Sequence, residues 1–206
     1  MHPNPAFRQS PDAVNLAFAR AQGFGILAIN SDNGPLMSHI PFLLSEDGRC
    51  AEFHLVRSNP IARAMHEPLK ARLAVEGPQS YVSPDWYGIE DQVPTWNYVA
   101  VHLVGEIRLQ PHQRLRDLLD RQSAQFESRL LPKPEWRADK MTPDVLDRMM
   151  RQIVPCMMRV DQISGTWKLG QNKPDDVRLR AADHLGPTGE GQETERLAEM
   201  MRAPPA

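Results

Sequence analysis

Cysteine is scarce in this chain. Cys50 and Cys156 are the only two among 206 residues, and they stand far apart, without the spacing of a metal-ligand pair. That excludes a disulfide scaffold and a zinc-finger type of centre, and it predicts two buried, reduced thiols. An excess of one charge is missing too, because 24 lysines and arginines face 26 aspartates and glutamates for a net charge of -2. Such a balance supplies no general attraction to a phosphate backbone, which argues against direct DNA binding. No run of about 18 apolar residues offers a membrane span. The opening Met-His-Pro-Asn-Pro lacks the charged and apolar blocks of a secretory leader, so a cytoplasmic protein is expected. There is no Gly-rich dinucleotide or phosphate loop, no His-Glu-x-x-His motif and no clustering of the seven histidines, so no metal site is predicted.

What is present is an ordinary globular composition, 41% hydrophobic and 24% charged, with enough residues to bury a real core. Ser10-Pro11 reads as a helix start, and Val14, Leu16, Ala17, Phe18 and Ala21 form an apolar stripe that Gly23 ends. From Phe24 the pattern changes to short apolar runs between turns: Phe24 to Ile29, Leu36 to Leu44, Cys50 to Val56, Ala71 to Val75 and Asn97 to Leu109. Helical spacing returns over Arg114 to Phe126, and Thr142-Pro143 opens a helix through Arg151. Cys156 to Lys168 reads as a strand broken at Ser164-Gly165. Pro174 restarts a short helix over Asp175, Asp176, Val177 and Leu179. A flexible link is expected over Gly186 to Gly191, and a last amphipathic helix over Glu193 to Arg202. Short strands in hairpin succession predict a mainly β, closed or half-closed antiparallel barrel with peripheral helices. The expected organisation is a single domain over 1–206, with a helical insertion at 112–151 and a C-terminal helical extension at 174–206.

All three tyrosines and two of the four tryptophans fall between Tyr81 and Tyr98. With Pro84 and Pro94 they make a stiff, half-polar wall, which suits either a pinned loop or a planar ligand. In His54-Leu-Val-Arg-Ser-Asn-Pro60 a strand ends, Arg57 and Ser58 follow, Asn59 caps and Pro60 opens a short helix through His66. A guanidinium, a hydroxyl and free amides at a helix start suit a phosphate, while the plainer reading leaves Arg57 solvated. Trp96 and Asn97 together can sandwich and hydrogen-bond a flat ring, or simply wedge a strand start. Lys168, Gln171 and Asn172 combine a cation with two carboxamides, a donor and acceptor set for a phosphate, a ring edge or a polar chain. His39, alone in a strand, reads as a packing histidine, with no nucleophile nearby to activate.

Four separated motifs, Tyr81-Val-Ser-Pro-Asp-Trp-Tyr87, Val93-Pro-Thr-Trp-Asn-Tyr98, His102-Leu-Val-Gly105 and Lys168-Leu-Gly-Gln-Asn172, resemble the PaiB-type family of FMN-binding negative transcriptional regulators, relatives of the split-barrel flavoproteins. The resemblance runs over nearly the whole chain. It implies a homodimeric split β-barrel of Greek-key type with FMN at the subunit interface. The ring would lie near Ser38, His39, Ile40 and Pro41 and near Trp96 and Asn97. The phosphate would lie near His54, Arg57, Ser58, Asn59 and Lys168, with Gln171 and Asn172 beside it. Haem is an alternative cofactor among such relatives. The family pattern usually reads Lys-Leu-Ser-Gln-Asn-Arg, so Gly170 and Lys173 are departures expected to weaken or move a phosphate contact, and a barrel that has lost its ligand is a third reading.

The function implied is a flavin-binding repressor that acts as a dimer. Its own grip on DNA is expected to be poor, since Arg114 to Arg129 is interleaved with Asp117, Asp120 and Glu127. The alternative is a flavin-dependent oxidoreductase acting on a small molecule, in which the cofactor performs the chemistry and no acid, base or nucleophile need be visible.

Overall fold

The computed structural model describes residues 2–205. Pro11 accepts hydrogen bonds through its carbonyl from the Val14 and Asn15 amides, at 3.0 and 3.2 Å, and so opens α1 (Asp12–Gln22). Ser10 instead offers its carbonyl to Asn15 Nδ2, at 3.3 Å. The three alternating apolar runs that follow become β1 (Phe24–Ile29), β2 (Leu36–Leu44) and β3 (Cys50–Val56), within the bounds expected from period-two patterning. Asn59 caps α2 (Pro60–Ala64) by accepting the Ile61 amide on its side-chain oxygen at 2.9 Å.

Three long strands follow: β4 (Leu69–Val82), β5 (Thr95–Leu109) and β6 (Ile153–Lys168). Between the last two lie α3 (Leu115–Glu127) and α4 (Pro143–Met150). After β6 come α5 (Asp175–Thr188), the short β7 (Gly191–Gln192) and α6 (Thr194–Arg202). The strand order is β1-β2-β3-β6-β5-β4-β7, and β1 also pairs with β4, so the first six strands of that order close on themselves. Closure removes the open edges that a six-stranded sheet would otherwise expose.

Backbone contacts divide the chain into two compact units, one of Gly23–Leu73 and Leu103–Gln162, the other of Met1–Gln22, Ala74–His102 and Ile163–Ala206. In the first, the barrel unit, the pairing Leu27↔Ser38, Phe42↔Phe53 and Phe53↔Cys156 sets one face of each strand inward. Leu27, Phe42, Phe53, Leu73, Leu103 and Met158 are fully buried there. Outside the barrel α3 lies against β3, with Leu115 and Leu118 buried and Arg121 clasping Glu52 through two bonds of 2.8 and 3.1 Å.

In the second unit, Phe18 of α1 meets the Trp167 ring edge-on, with centroids 5.3 Å apart, and Asn15 Oδ1 accepts the Trp167 indole N–H at 2.8 Å. This contact explains why β6 runs on through Ser164-Gly165, where a break was expected. A Cβ on Gly165 would sit 2.0 Å from Asn15 Oδ1, so the glycine marks a close approach inside a continuous strand. Similarly β4 extends past the expected Val75, because Gln79 and Ser80 find partners in the distant Gln192 and Gly191. The expected link at Gly186 is helical instead. Leu185 and Gly186 are buried, and a Cβ on Gly186 would touch the Ala198 methyl of α6, so packing overrides local propensity. Arg178, itself buried, ties α5 to α6 by donating from Nη1 to the Met201 and Arg202 carbonyls and from Nη2 to Asp175 Oδ1 at 2.6 Å.

Candidate functional site

At the end of β6 the chain must turn sharply after Lys168. Gly170 makes that turn with φ of +81°, a left-handed conformation that a serine would occupy only with strain, and its carbonyl accepts the Lys173 amide at 3.0 Å. Gln171 braces the turn from inside: Oε1 accepts the Leu169 amide at 2.9 Å and Nε2 donates to the Trp167 carbonyl at 2.5 Å. Its carboxamide therefore serves the backbone. What the turn delivers is Lys168, Asn172 and Lys173 to a cavity of about 240 Å³ that Asn97 and Thr95 of β5 also line. Tyr87 and Gln92, from the aromatic stretch before β5, contribute to the same lining.

The polar groups of the cavity are largely donors. Lys168 Nζ donates to Thr95 Oγ1, and Lys173 Nζ donates to Gln92 Oε1 while lying 4.1 Å from the centre of the Tyr87 ring. An ammonium has three N–H groups, so each lysine keeps two for a further partner. Burial, and then the neighbouring Lys173 charge, hold the Lys168 ammonium below the usual lysine range. Tyr87 is buried, which pushes its phenol up and keeps it protonated. Asn97 is only 1% exposed and donates from Nδ2 to the Met201 sulfur at 3.4 Å, a weak acceptor that a ligand oxygen can replace.

The cavity collects Asn97, Lys168 and Asn172 from the residues expected to touch a flavin. Trp96 belongs to the same unit, but strand alternation turns it to the face opposite Asn97, where it is 45% exposed. Gln171, also of this unit, braces the turn, and the remaining expected residues belong to the barrel unit. Ser38 Oγ accepts Asn59 Nδ2 at 3.0 Å, so these two are joined. Arg57 is occupied by the carbonyls of Arg151 and Ile153, at 3.1 and 3.5 Å, and Ser58 is exposed. His39 lies on the outer face of β2, stacked on Phe24 with centroids 6.4 Å apart, while Ile40 is buried and Pro41 pairs opposite Phe24. His54 points out of the barrel beside Gln122 of α3. Burial holds its imidazole below the ordinary histidine range, with Gln122 acting the other way, and Nδ1 has no hydrogen-bond partner among the described residues.

The residues expected at the flavin did not include Thr95, Tyr87 or Gln92, and Lys173 entered only as a departure at a phosphate contact. The signal for Lys173 was available, since a cation persists where the family pattern has arginine. Nothing in spacing alone ties Gln92 to it. Two lysines with free donors, four carboxamides, a threonine and an aromatic floor fit an anionic, hydrogen-bonding group. The volume lies below the ~300–1,000 Å³ typical of pockets that take up a whole small ligand, so the cavity suits one end of a cofactor such as FMN.

Residues 1–162 match the family described as "Putative FMN-binding domain". The chain is 27% identical over 186 residues to the Protease synthase and sporulation protein PAI 2 of Bacillus subtilis (strain 168), covering 89% of this chain and 88% of that protein. Among solved structures it is similar to the FAD and haem binding protein from Mycobacterium smegmatis, with a TM-score of 0.59 and 15% identity over 90% of this chain and 82% of the other. The conserved hypothetical protein Rv2991 from Mycobacterium tuberculosis superposes with a TM-score of 0.56 and 12% identity, over 82% of this chain and 92% of its own. The closed antiparallel strands, the motifs along β5 and β6 and these matches agree: the chain belongs to the PaiB-type family of FMN-binding proteins and has their split-barrel fold.

Proposed function

We propose that this protein is a flavin-binding regulator of the PaiB type, one that binds FMN and works as a homodimer to repress gene expression. The observation that carries the flavin reading is the convergence of Asn97, Lys168 and Asn172, distant in sequence, on one donor-rich cavity. When bound, FMN supplies redox chemistry that the protein side chains lack. Here that chemistry serves sensing. The name of the Bacillus relative, which refers to protease synthesis and sporulation, supports a regulatory role. Repression is exerted through a partner, a reading favoured by the arginines of α3: Arg116 is paired with Asp120, and Arg121 with Asp117 and Glu52. The homodimer is supported by the outer face of the β1–β2 hairpin, where Phe24 and Met37 are 53% and 59% exposed.

The experiment is a visible absorption spectrum of the desalted protein, repeated after FMN is added and the excess removed. A retained flavin spectrum is expected, with slow or no reduction by nicotinamide donors. Rapid turnover with such a donor would favour an oxidoreductase over a sensor, and no retained flavin at high FMN would overturn the flavin reading. Tight, salt-sensitive and sequence-selective mobility shifts would overturn the indirect mode of repression.

A further inference from the structure

A second cavity, of about 290 Å³, lies in the helical insertion of the barrel unit and shares no residue with the cavity at the β6 exit. One wall is a single face of α3, because Arg116, Asp120, Ser123 and Ala124 follow one another at helical spacing. The other wall is the segment 135–139. That segment is tied down at several points. Glu127, the last residue of α3, accepts the Trp136 amide at 2.8 Å and the Lys133 ammonium, and Ala138 is buried. Trp136 nonetheless leaves its indole 37% exposed beside the cleft, amid charged side chains.

Charges of both signs face each other across the gap. Arg116 donates from Nε to Asp120 Oδ2 at 2.7 Å, and Arg137 lies 3.9 Å from Asp139. The hydrogen bond to Asp120 holds the Arg116 guanidinium above the usual arginine range, and Asp139 on the opposite wall adds to the effect. A third carboxylate, Glu135, has the Lys140 ammonium beside it, bonded to its backbone carbonyl at 3.1 Å. The cleft is thus close to neutral while offering both signs. Arg116 keeps its terminal nitrogens for a partner, and Asp120 keeps its second oxygen. A lone anion would meet the carboxylates and a lone cation the guanidiniums, whereas a small molecule carrying both charges is opposed by neither.

We propose that this cleft binds a free α-amino acid with an apolar side chain, its carboxylate on Arg116 and Arg137, its ammonium on Asp120 and Asp139, and its side chain against the Trp136 indole. An α-amino acid carries both charges on one carbon, while the end of a peptide carries only one of them. The volume falls just short of the ~300–1,000 Å³ of pockets for drug-sized ligands, which suits a single residue. The planar fork of arginine matches a carboxylate, and the indole supplies the apolar contact. The site needs no flavin, so it stands apart from the flavin reading.

The test is titration calorimetry of the full chain with L-phenylalanine, L-leucine, phenethylamine and 3-phenylpropanoate. Against L-phenylalanine, phenethylamine lacks only the carboxylate and 3-phenylpropanoate only the ammonium. Because a hydrogen bond to a charged group is worth about tenfold or more in affinity, L-phenylalanine is expected to bind at least about tenfold more tightly than either. Arg116→Gln should weaken it by about tenfold or more, and Trp136→Ala by about fivefold. Lys173→Gln, an equal loss of charge in the other unit, should leave it unchanged. Circular dichroism shows that the variants are folded, and the ligand series on the natural protein decides the matter even if a variant is lost. Phenethylamine binding as tightly as L-phenylalanine would make the cleft a cation site, and 3-phenylpropanoate doing so an anion site; either overturns the proposal. No heat with L-phenylalanine or L-leucine at millimolar concentration overturns it too, as does binding that survives unchanged in both Arg116→Gln and Trp136→Ala.

Discussion

The contact between Asn15 and Gly165 makes a sharp energetic prediction. Asn15 is 2% exposed and its Oδ1 is the acceptor for the indole N–H of Trp167, itself 4% exposed. Asn15→Ala removes the bond, at about 1 kcal/mol, and leaves a buried donor unpaired, at about 1–3 kcal/mol more, for an expected loss of about 2–4 kcal/mol. Gly165→Ala attacks the same spot from β6. Its new methyl would lie 2.0 Å from Asn15 Oδ1 and 2.7 Å from Cγ, so the carboxamide must be expelled and the indole bond broken. The single cost is again about 2–4 kcal/mol. In the double variant the methyl enters space that the carboxamide has vacated, so its total cost should resemble that of Asn15→Ala alone. The coupling between the sites is then about 2 kcal/mol or more in favour of the double variant. Urea unfolding followed by circular dichroism and tryptophan fluorescence measures all four proteins, with an unchanged slope showing that the same surface is exposed. Costs that add to within about 0.5 kcal/mol would refute the claim that Asn15 occupies the space Gly165 leaves.

His54 carries a pH dependence. Its folded pKa is depressed by burial from 6.5, so on acidification the unfolded chain takes up the proton first and stability falls as pH drops below that value. His54→Gln should flatten this acid-side slope in melting temperature between about pH 7 and 5. Cys156, whose thiol burial pushes up to about 12, should resist a thiol reagent at about pH 8 in the folded protein and react at once in denaturant; rapid labelling of the folded Cys156 would contradict its placement inside the barrel. Lys168 should deprotonate before an ordinary lysine, so affinity for FMN is expected to decline from a pH below 10.5, and Lys168→Gln should abolish that decline while weakening FMN binding at neutral pH. An alkaline limit that persists in Lys168→Gln would assign it elsewhere.

Much of the architecture was legible locally. The spans of β1, β2 and β3 followed from alternation, and Asn59-Pro60 announced α2, because side-chain periodicity and capping are properties of adjacent residues. The family motifs carried the split barrel and FMN, and Asn97, Lys168 and Asn172, expected at the flavin, meet in one cavity. Gly170, read as a departure from the family's serine, adopts a positive φ, so the turn at this position favours glycine.

By itself, the sequence determined the class of the fold, the first strands and the chemical character of the β6 exit, since these depend on residue type and short-range spacing. Tertiary structure alone decided the rest. The continuity of β6 through Gly165 depends on Asn15, the length of β4 on β7, and the helicity of Gly186 on the Ala198 methyl. It also decided that Gln171 serves the backbone and that Lys173 joins Lys168 beside Tyr87 and Gln92. Each of these is a meeting of groups far apart along the chain, set by packing and by the need to pair buried polar atoms, and neither is encoded in the spacing of neighbouring residues.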